Sequence, residues 1–273
     1  MLKTRIVTAL ILIAAFLLAM FGLPPTGWVL VCALILAIAS WEWAALAGMA
    51  GLVRWAFPVP IVAGGIAVTA IWPQLPGLGD AAVYYLMAIA FWVLLVPPWL
   101  SNGLRYGRNA LVAATGVLVL LPCFLAMVHL HRIGPDILLR FMAIVWIADS
   151  AAYFAGRAFG RRKLAPSISP GKTWEGVAGA LLAVTAYGIL WLFVFNWSIP
   201  AVVEVVFGSR HGMLVVLWFL AAFSVLGDLF ESALKRRAGV KDSGKILPGH
   251  GGVLDRIDAM IPVLPMAALL FIL

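Results

Sequence analysis

Ile6-Val-Thr-Ala-Leu-Ile-Leu-Ile-Ala-Ala-Phe-Leu-Leu-Ala-Met-Phe-Gly-Leu23 is 18 residues long, carries no charged side chain, and follows directly on Lys3 and Arg5. A helix needs about 20 such residues to cross the apolar core of a bilayer. A cleaved signal peptide would have a shorter apolar stretch and a small-x-small cleavage site. The stretch therefore reads as a first transmembrane helix, and the rest of the chain repeats its character. Of 273 residues, 64% are hydrophobic and 11% charged, and mean hydropathy is +1.09. A soluble domain is about half apolar and about a quarter charged. So much apolar surface cannot be hidden in one soluble core, and lipid must solvate most of it.

Eight further apolar segments follow, near 27–48, 57–73, 81–100, 109–130, 137–156, 175–197, 212–231 and 256–273. The predicted fold is an all-α, polytopic integral membrane protein of about nine transmembrane helices. It divides into N-terminal helices (1–130) and a C-terminal region (131–273) that carries the polar loops, forming one membrane unit without a soluble domain. Two polar loops stand out, 157–173 and 232–255. Nine spans place 16 of the 19 Lys and Arg residues on one face and only Arg132, Arg140 and Arg210 on the other. The positive-inside rule then assigns the N-terminus and both polar loops to the cytoplasm, with the last residues on the far side. The two cysteines, Cys32 and Cys123, sit in separate apolar runs without metal-ligand spacing and are expected to be reduced.

Acidic residues number eleven, and seven of them (Glu42, Asp149, Glu175, Asp228, Glu231, Asp255 and Asp258) lie within or at the ends of apolar segments. A carboxylate at membrane depth costs about 2.5 kcal/mol or more. In the predicted topology all seven fall in the cytoplasmic halves of five helices, which suggests a cation-and-phosphate site there. Plainer readings exist. Glu42, between Trp41 and Trp43, could face water at a helix end. Glu175 could be a helix N-terminal charge favoured by the dipole, and Asp149 could make a structural hydrogen bond.

The second loop reads Ser232-Ala-Leu-Lys-Arg-Arg-Ala-Gly-Val-Lys-Asp-Ser-Gly-Lys-Ile-Leu-Pro-Gly-His-Gly-Gly-Val-Leu-Asp-Arg-Ile-Asp258. Lys235, Arg236, Lys241 and Arg256 offer positive charge to a polyphosphate. Gly249, Gly251 and Gly252 would let backbone N–H groups approach phosphate oxygens. Asp255 and Asp258 supply the hard oxygens that suit Mg²⁺. His250 could donate to a phosphate, act as an acid, or fix the loop.

The pattern Ser-x-x-Lys-Arg-x4-Lys-Asp-x-Gly-x3-Pro-x-His-Gly-Gly-x2-Asp-Arg-x-Asp resembles the signature of the phosphatidate cytidylyltransferase family, also called CDP-diglyceride synthase. All its fixed positions are present: Ser232, Lys235, Arg236, Lys241, Asp242, Gly244, Pro248, His250, Gly251, Gly252, Asp255, Arg256 and Asp258. The stretches Asp149–Gly156, Gly160–Pro166 and Ser169–Gly176 also resemble the family. The likeness is strong over 140–258, and over the first 130 residues it is one of hydropathy alone.

The resemblance implies that the phosphate of phosphatidate attacks the α-phosphorus of CTP, releasing pyrophosphate. It implies catalytic roles for Asp228, Asp255, Asp258, Lys235 and Arg256. Substrate contacts would come from Ser232, Arg236, Lys241, Asp242, His250, Gly251, Gly252 and Lys172. Mg²⁺ would sit on Asp228 and Asp255, with room for a second cation. The expected partners are CTP, phosphatidate and the surrounding lipid, and no nucleic acid. A homodimer and a bacterial inner-membrane location are implied as well.

Gly171-Lys172-Thr173 ends like a nucleotide-binding P-loop. The position five residues before Gly171 is Pro166 rather than glycine, and no strand is expected ahead of it, so a P-loop is rejected. Two other functions compete. A CTP-dependent polyprenol or lipid kinase would release CDP and a phospholipid. An ion transporter would place its site at the bilayer midplane, often between inverted repeats, and no repeat is visible.

Overall fold

The computed structural model describes residues 2–71, 79–102 and 109–272, with the side chains of 2–7 and 79–81 left aside. Its helices are α1 (Leu2–Gly22), α2 (Pro25–Leu46), α3 (Gly51–Ala56), α4 (Pro58–Ile71), α5 (Gly79–Ala90), α6 (Val96–Ser101), α7 (Asn109–Ile133), α8 (Pro135–Phe159), α9 (Trp174–Ile189), α10 (Ala201–Phe207), α11 (Gly212–Arg237), α12 (Leu254–Ile257) and α13 (Met260–Leu269). Single π turns continue α5 (Phe91–Leu95) and α9 (Leu190–Val194). Among the described residues, seven helical stretches are long and apolar enough to cross a membrane: α2, α3–α4, Ala82–Ser101, α7, α8, Trp174–Val194 and α11. The protein is a nearly all-helical integral membrane protein.

Nine spans were expected, and that count is not confirmed. At the two ends of the chain, α1 runs over Leu2–Gly22 and the last apolar helix is the short α13, Met260–Leu269. In α13 every residue except Met266 is buried, so this helix fills the middle of the bundle. Its apolar residues pack against protein rather than lipid.

Two corrections concern the polar loops. The first is not all coil, because Lys163–Ala165 (β1) and Ser169–Thr173 (β2) form a small antiparallel hairpin, with Lys163 opposite Thr173 and Ala165 opposite Ser169. Ile168 N donates to Ala165 O at 3.1 Å across the turn. Pro166 pre-sets the backbone of that turn. A strand therefore does lead into Gly171-Lys172-Thr173, against expectation, although the P-loop glycine is still missing. The second loop begins later than expected. Helix α11 runs to Arg237, which places Ser232, Lys235 and Arg236 on a helix rather than in coil.

Indole N–H groups clamp α2 to α7 at both ends. Trp28 Nε1 donates to Met127 O at 3.3 Å, and Trp43 Nε1 donates to Val112 O at 2.6 Å. Buried donors must find partners inside an apolar medium, so these two bonds fix the antiparallel register. Between α8 and α9 the seam is built of small residues. A side chain at Gly176 would come within 2.8 Å of Ala152 O, and one at Gly179 would strike Ala155. Small residues allow this close backbone approach in membranes. The seam hands the β1–β2 hairpin to one end of the bundle.

Gly116 on α7 lies under the fully buried Trp43 indole, and a β-carbon there would overlap the ring. Gly116→Ala should destabilise the folded protein by about 1–3 kcal/mol, the scale of overpacking a filled core. The thermal midpoint in detergent checks this. Gly64→Ala, where nothing lies within 4 Å, is the control and should leave the midpoint level or raise it. Equal midpoints for the two variants would show that the α2–α7 contact is loose.

Candidate active site

Three turns of α11 set the site out. Asp228, Ser232 and Lys235 are spaced four and three apart, so they share one helix face. Ser232 Oγ donates to Asp228 Oδ1 at 3.1 Å. The other oxygen of Asp228 meets Lys172 Nζ at 2.7 Å, delivered by β2. Lys172 Nζ also donates to Val225 O at 3.4 Å. Thr173, next along, caps α9 by accepting from Gly176 N at 3.1 Å. The first polar segment is thus tied by one ion pair to α11, one turn before the second begins.

Lys235 forms the second node. Its ammonium lies 2.5 Å from Glu231 Oε2 and 2.6 Å from Asp255 Oδ1. Neither Glu231 oxygen receives a hydrogen bond of good geometry, so this half of the contact is an off-axis ion pair. It is nonetheless close enough to neutralise a carboxylate that is almost fully buried. Lys235 is therefore committed to two carboxylates in this state. Asp255 Oδ2 accepts from Ser243 N at 3.0 Å and Gly252 N at 2.8 Å. Burial alone would raise the Asp255 carboxyl, but the Lys235 ammonium and these two N–H groups outweigh it and hold the group below the usual carboxylate range.

Asp258 is largely enclosed by protein and lies within electrostatic range of Asp228 and Asp149. Gly227 makes the proximity possible, since a β-carbon there would stand 2.5 Å from Asp258 O and 2.9 Å from the Pro262 ring. The Asp149 carboxyl also lies within electrostatic range of Asp228 and Lys172. Carboxylates within electrostatic range of one another are an arrangement that a cation relieves.

The signature loop folds against these groups. Leu247 N donates to Gly251 O and His250 N to Leu247 O, both at 2.9 Å. Gly249 and Gly251 take positive φ (76° and 82°) to close this turn. His250 stands in it, with Nδ1 3.4 Å from Pro248 O. Gly252 has its N–H committed to Asp255 rather than held ready for a phosphate. Arg236, Lys241, Asp242 and Arg256 are exposed at the same end. Among the described residues none of these four joins a salt bridge.

Glu42 is where sequence reading went furthest astray. It does not face water, for it is 0% exposed on α2. Its carboxylate accepts from Leu254 N at 2.7 Å, Val253 N at 3.1 Å and Ser243 Oγ at 3.1 Å. A charged side chain inside an apolar helix was the available signal. What the sequence could not supply was the partner, more than 200 positions away. Glu175 fits its plainer reading more closely. It sits in the first turn of α9 and accepts from Arg161 N at 3.0 Å and Arg162 N at 3.2 Å, which closes the base of the hairpin.

Among the described residues no group of three or more His, Cys, Asp or Glu side chains is arranged to hold a metal ion. Mg²⁺ needs fewer, because it is commonly held by one or two carboxylates plus substrate phosphates and water. Asp228 and Asp255 meet that requirement in kind, each already holding an ammonium at 2.6–2.7 Å.

The chain matches the cytidylyltransferase family over residues 3–273. It is 38% identical to the phosphatidate cytidylyltransferase of Pseudomonas aeruginosa, over 99% of this chain and 97% of that one. It is 35% identical to the enzyme of the same name from Haemophilus influenzae, over 97% and 96%. The namesake from Thermotoga maritima is 47% identical over a shorter region, 46% of this chain and 45% of the other.

Glu42→Gln keeps the shape but turns an N–H₂ group toward N–H and O–H donors. Losing charged hydrogen bonds of this kind should cost about 1–3 kcal/mol. Hydrogen–deuterium exchange at the Val253 and Leu254 amides should accelerate by about tenfold or more. Unchanged exchange in the variant would mean that the carboxylate does not hold the loop.

Proposed function

The chain belongs to the cytidylyltransferase family, and from that premise we propose that it joins CTP to phosphatidate, giving CDP-diacylglycerol and pyrophosphate. The observation that carries this reading is the convergence on one face of α11 of two ion pairs, Lys172–Asp228 reaching it from β2 and Lys235–Asp255 reaching it from the end of the signature loop. Two ammoniums, several carboxylates and a glycine-rich loop at one end of a membrane bundle suit one water-soluble polyphosphate and one lipid phosphate.

In the reaction, an oxygen of the phosphatidate phosphate forms a bond to the α-phosphorus of CTP. The bond from that phosphorus to the bridging oxygen of the β-phosphate breaks, and pyrophosphate leaves with the electron pair. The nucleophile is already anionic, so no general base is required. What the protein must do is bring two anions together. Lys172 and Lys235 supply charge at the site, and Arg236, Lys241 and Arg256 supply it around the rim. Asp255 holds Lys235 and the backbone of the loop in register. Positioning and charge neutralisation dominate phosphoryl-group chemistry in general.

Mg²⁺ fits this reading, held by Asp228 and Asp255 with Asp258 close by. When bound it would neutralise the triphosphate and the leaving pyrophosphate. We further propose that the protein lies in the bacterial inner membrane with the hairpin and signature loop in the cytoplasm. The positive-inside rule and the 16-to-3 division of basic residues support that orientation.

Purified protein given radiolabelled CTP and phosphatidate should yield a labelled CDP-lipid. A phosphorylated lipid with CDP release would instead identify a kinase. Asp228→Asn and Asp255→Asn should each lower the rate by about 10²-fold or more. Each should also weaken Mn²⁺ binding followed by electron paramagnetic resonance. If only Asp228→Asn weakens the ion, Asp255 is a loop anchor and not a ligand.

Orientation can be probed at Lys245, which is exposed in the signature loop. A Lys245→Cys protein should resist an impermeant thiol reagent in intact cells and react once the membrane is opened. Labelling in intact cells would reverse the orientation.

A further inference from the structure

On the Trp41 side of the signature loop lies a cavity of about 700 Å³ whose wall includes Trp41, Arg54, Lys241, Asp242, Ser243 and Lys245. Three cations face one carboxylate, leaving an excess positive charge. Arg54 is half-buried, and its guanidinium stacks 3.6 Å over the Trp41 ring while Nε donates to Trp41 O at 3.3 Å. The group is thus held in place, and among the described residues neither Arg54, Lys241 nor Lys245 forms a salt bridge. A fixed, half-buried guanidinium without a carboxylate calls for an anion from outside the chain.

The surroundings say what carries that anion. Arg54 sits on α3 between residues that turn outward, with Leu52 83% and Trp55 67% exposed. In a membrane protein such apolar side chains meet acyl chains, and tryptophan prefers the headgroup level. Ile246 and Val240 add exposed apolar surface on the loop side of the same cavity. A nucleotide would bring a polar ribose and base to this edge. A phospholipid would bring a phosphate inward and apolar chains outward, as the lining requires.

We infer that this cavity receives the phosphate headgroup of the lipid substrate, with Arg54 and Lys245 as contacts outside the family signature. The assignment deepens the proposed reaction and rests on it for the identity of the lipid. It places the lipid phosphate on one side of the Ser243–Gly244 backbone. The Lys235–Asp255 pair is tied to the same strand of loop through Ser243 N.

The test uses the full chain in nanodiscs that contain a photoactivatable phosphatidate and no CTP. Cross-links should appear in peptides covering 41–55 and 240–246, and Arg54→Ala should reduce them severalfold. In steady-state kinetics, Arg54→Ala and Lys245→Ala should each raise KM for phosphatidate by at least about tenfold, the scale of one charge-assisted phosphate contact. KM for CTP should stay within about twofold in both. Arg54→Lys keeps the charge but not the stack and should recover part of the loss, which a purely structural role for Arg54 would not allow. Cross-links confined to other segments, or a rise in KM for CTP instead, would overturn the assignment. If the wild-type protein made no CDP-lipid, the reaction would be wrong, and the cross-linking result would still decide whether the cavity binds the lipid phosphate.

Discussion

A carboxylate enclosed by protein at the edge of a membrane has to be met by donors, and Glu42 meets that constraint by reaching for the backbone of the signature loop. Val253 N, Leu254 N and Ser243 Oγ converge on it. Gly244 and Gly252 are glycine because any larger side chain would occupy the space of the carboxylate. Ser243 N and Gly252 N then turn to Asp255 on the other side. One loop is thereby held between two carboxylates, one from the N-terminal half of the chain and one of its own. Each charged hydrogen bond contributes about 1.5–3 kcal/mol, and leaving either acid bare would cost more than that. The position of the loop follows from the two acids.

The same accounting explains the remaining charges. Asp228, Glu231 and Asp255 are met by the ammoniums of Lys172 and Lys235, which come from different segments of the chain. Asp258 and Asp149 have no ammonium of their own at salt-bridge distance among the described residues. The site therefore holds more negative charge than its lysines neutralise, while its rim is strongly positive. Such a division suits a cation inside and phosphates above it. It also explains why Gly227 matters, since the close approach of α11 to Asp258 would fail with any side chain there.

The membrane character, most helix positions and the family were legible because each rests on local pattern: apolar length, basic flanks and a dense motif. Three features were not, each for a physical reason. The hairpin at 163–173 is too short and too polar to show strand periodicity, and it forms because the α8–α9 seam brings its ends together. The last segment's place in the middle of the bundle could not be read, because burial in protein and burial in lipid select the same residues. Glu42 looked like a helix-end charge because its partners lie more than 200 residues away, and no local rule reports a contact at that separation. Lys235 shows a related limit. Its residue type pointed to phosphate, and its actual neighbours are two carboxylates.

On the proposed assignments, the loop answers a geometric problem posed by two substrates of opposite solubility. The lipid must arrive sideways from the bilayer and the nucleotide from water, and their phosphates must meet without a shared entrance. A loop fixed on both faces can present cations to each side independently. On the α3 side stand Arg54 and Lys245, beside apolar residues that turn outward. On the α11 side stand Lys235, Lys172 and the acids. Lys241 and Asp242 lie on the strand between. Movement of this loop would misalign both partners at once, so rigidity here is a requirement of the chemistry. In the proposed arrangement, the buried carboxylate of Glu42 on α2 supplies that rigidity through its bonds to Ser243, Val253 and Leu254.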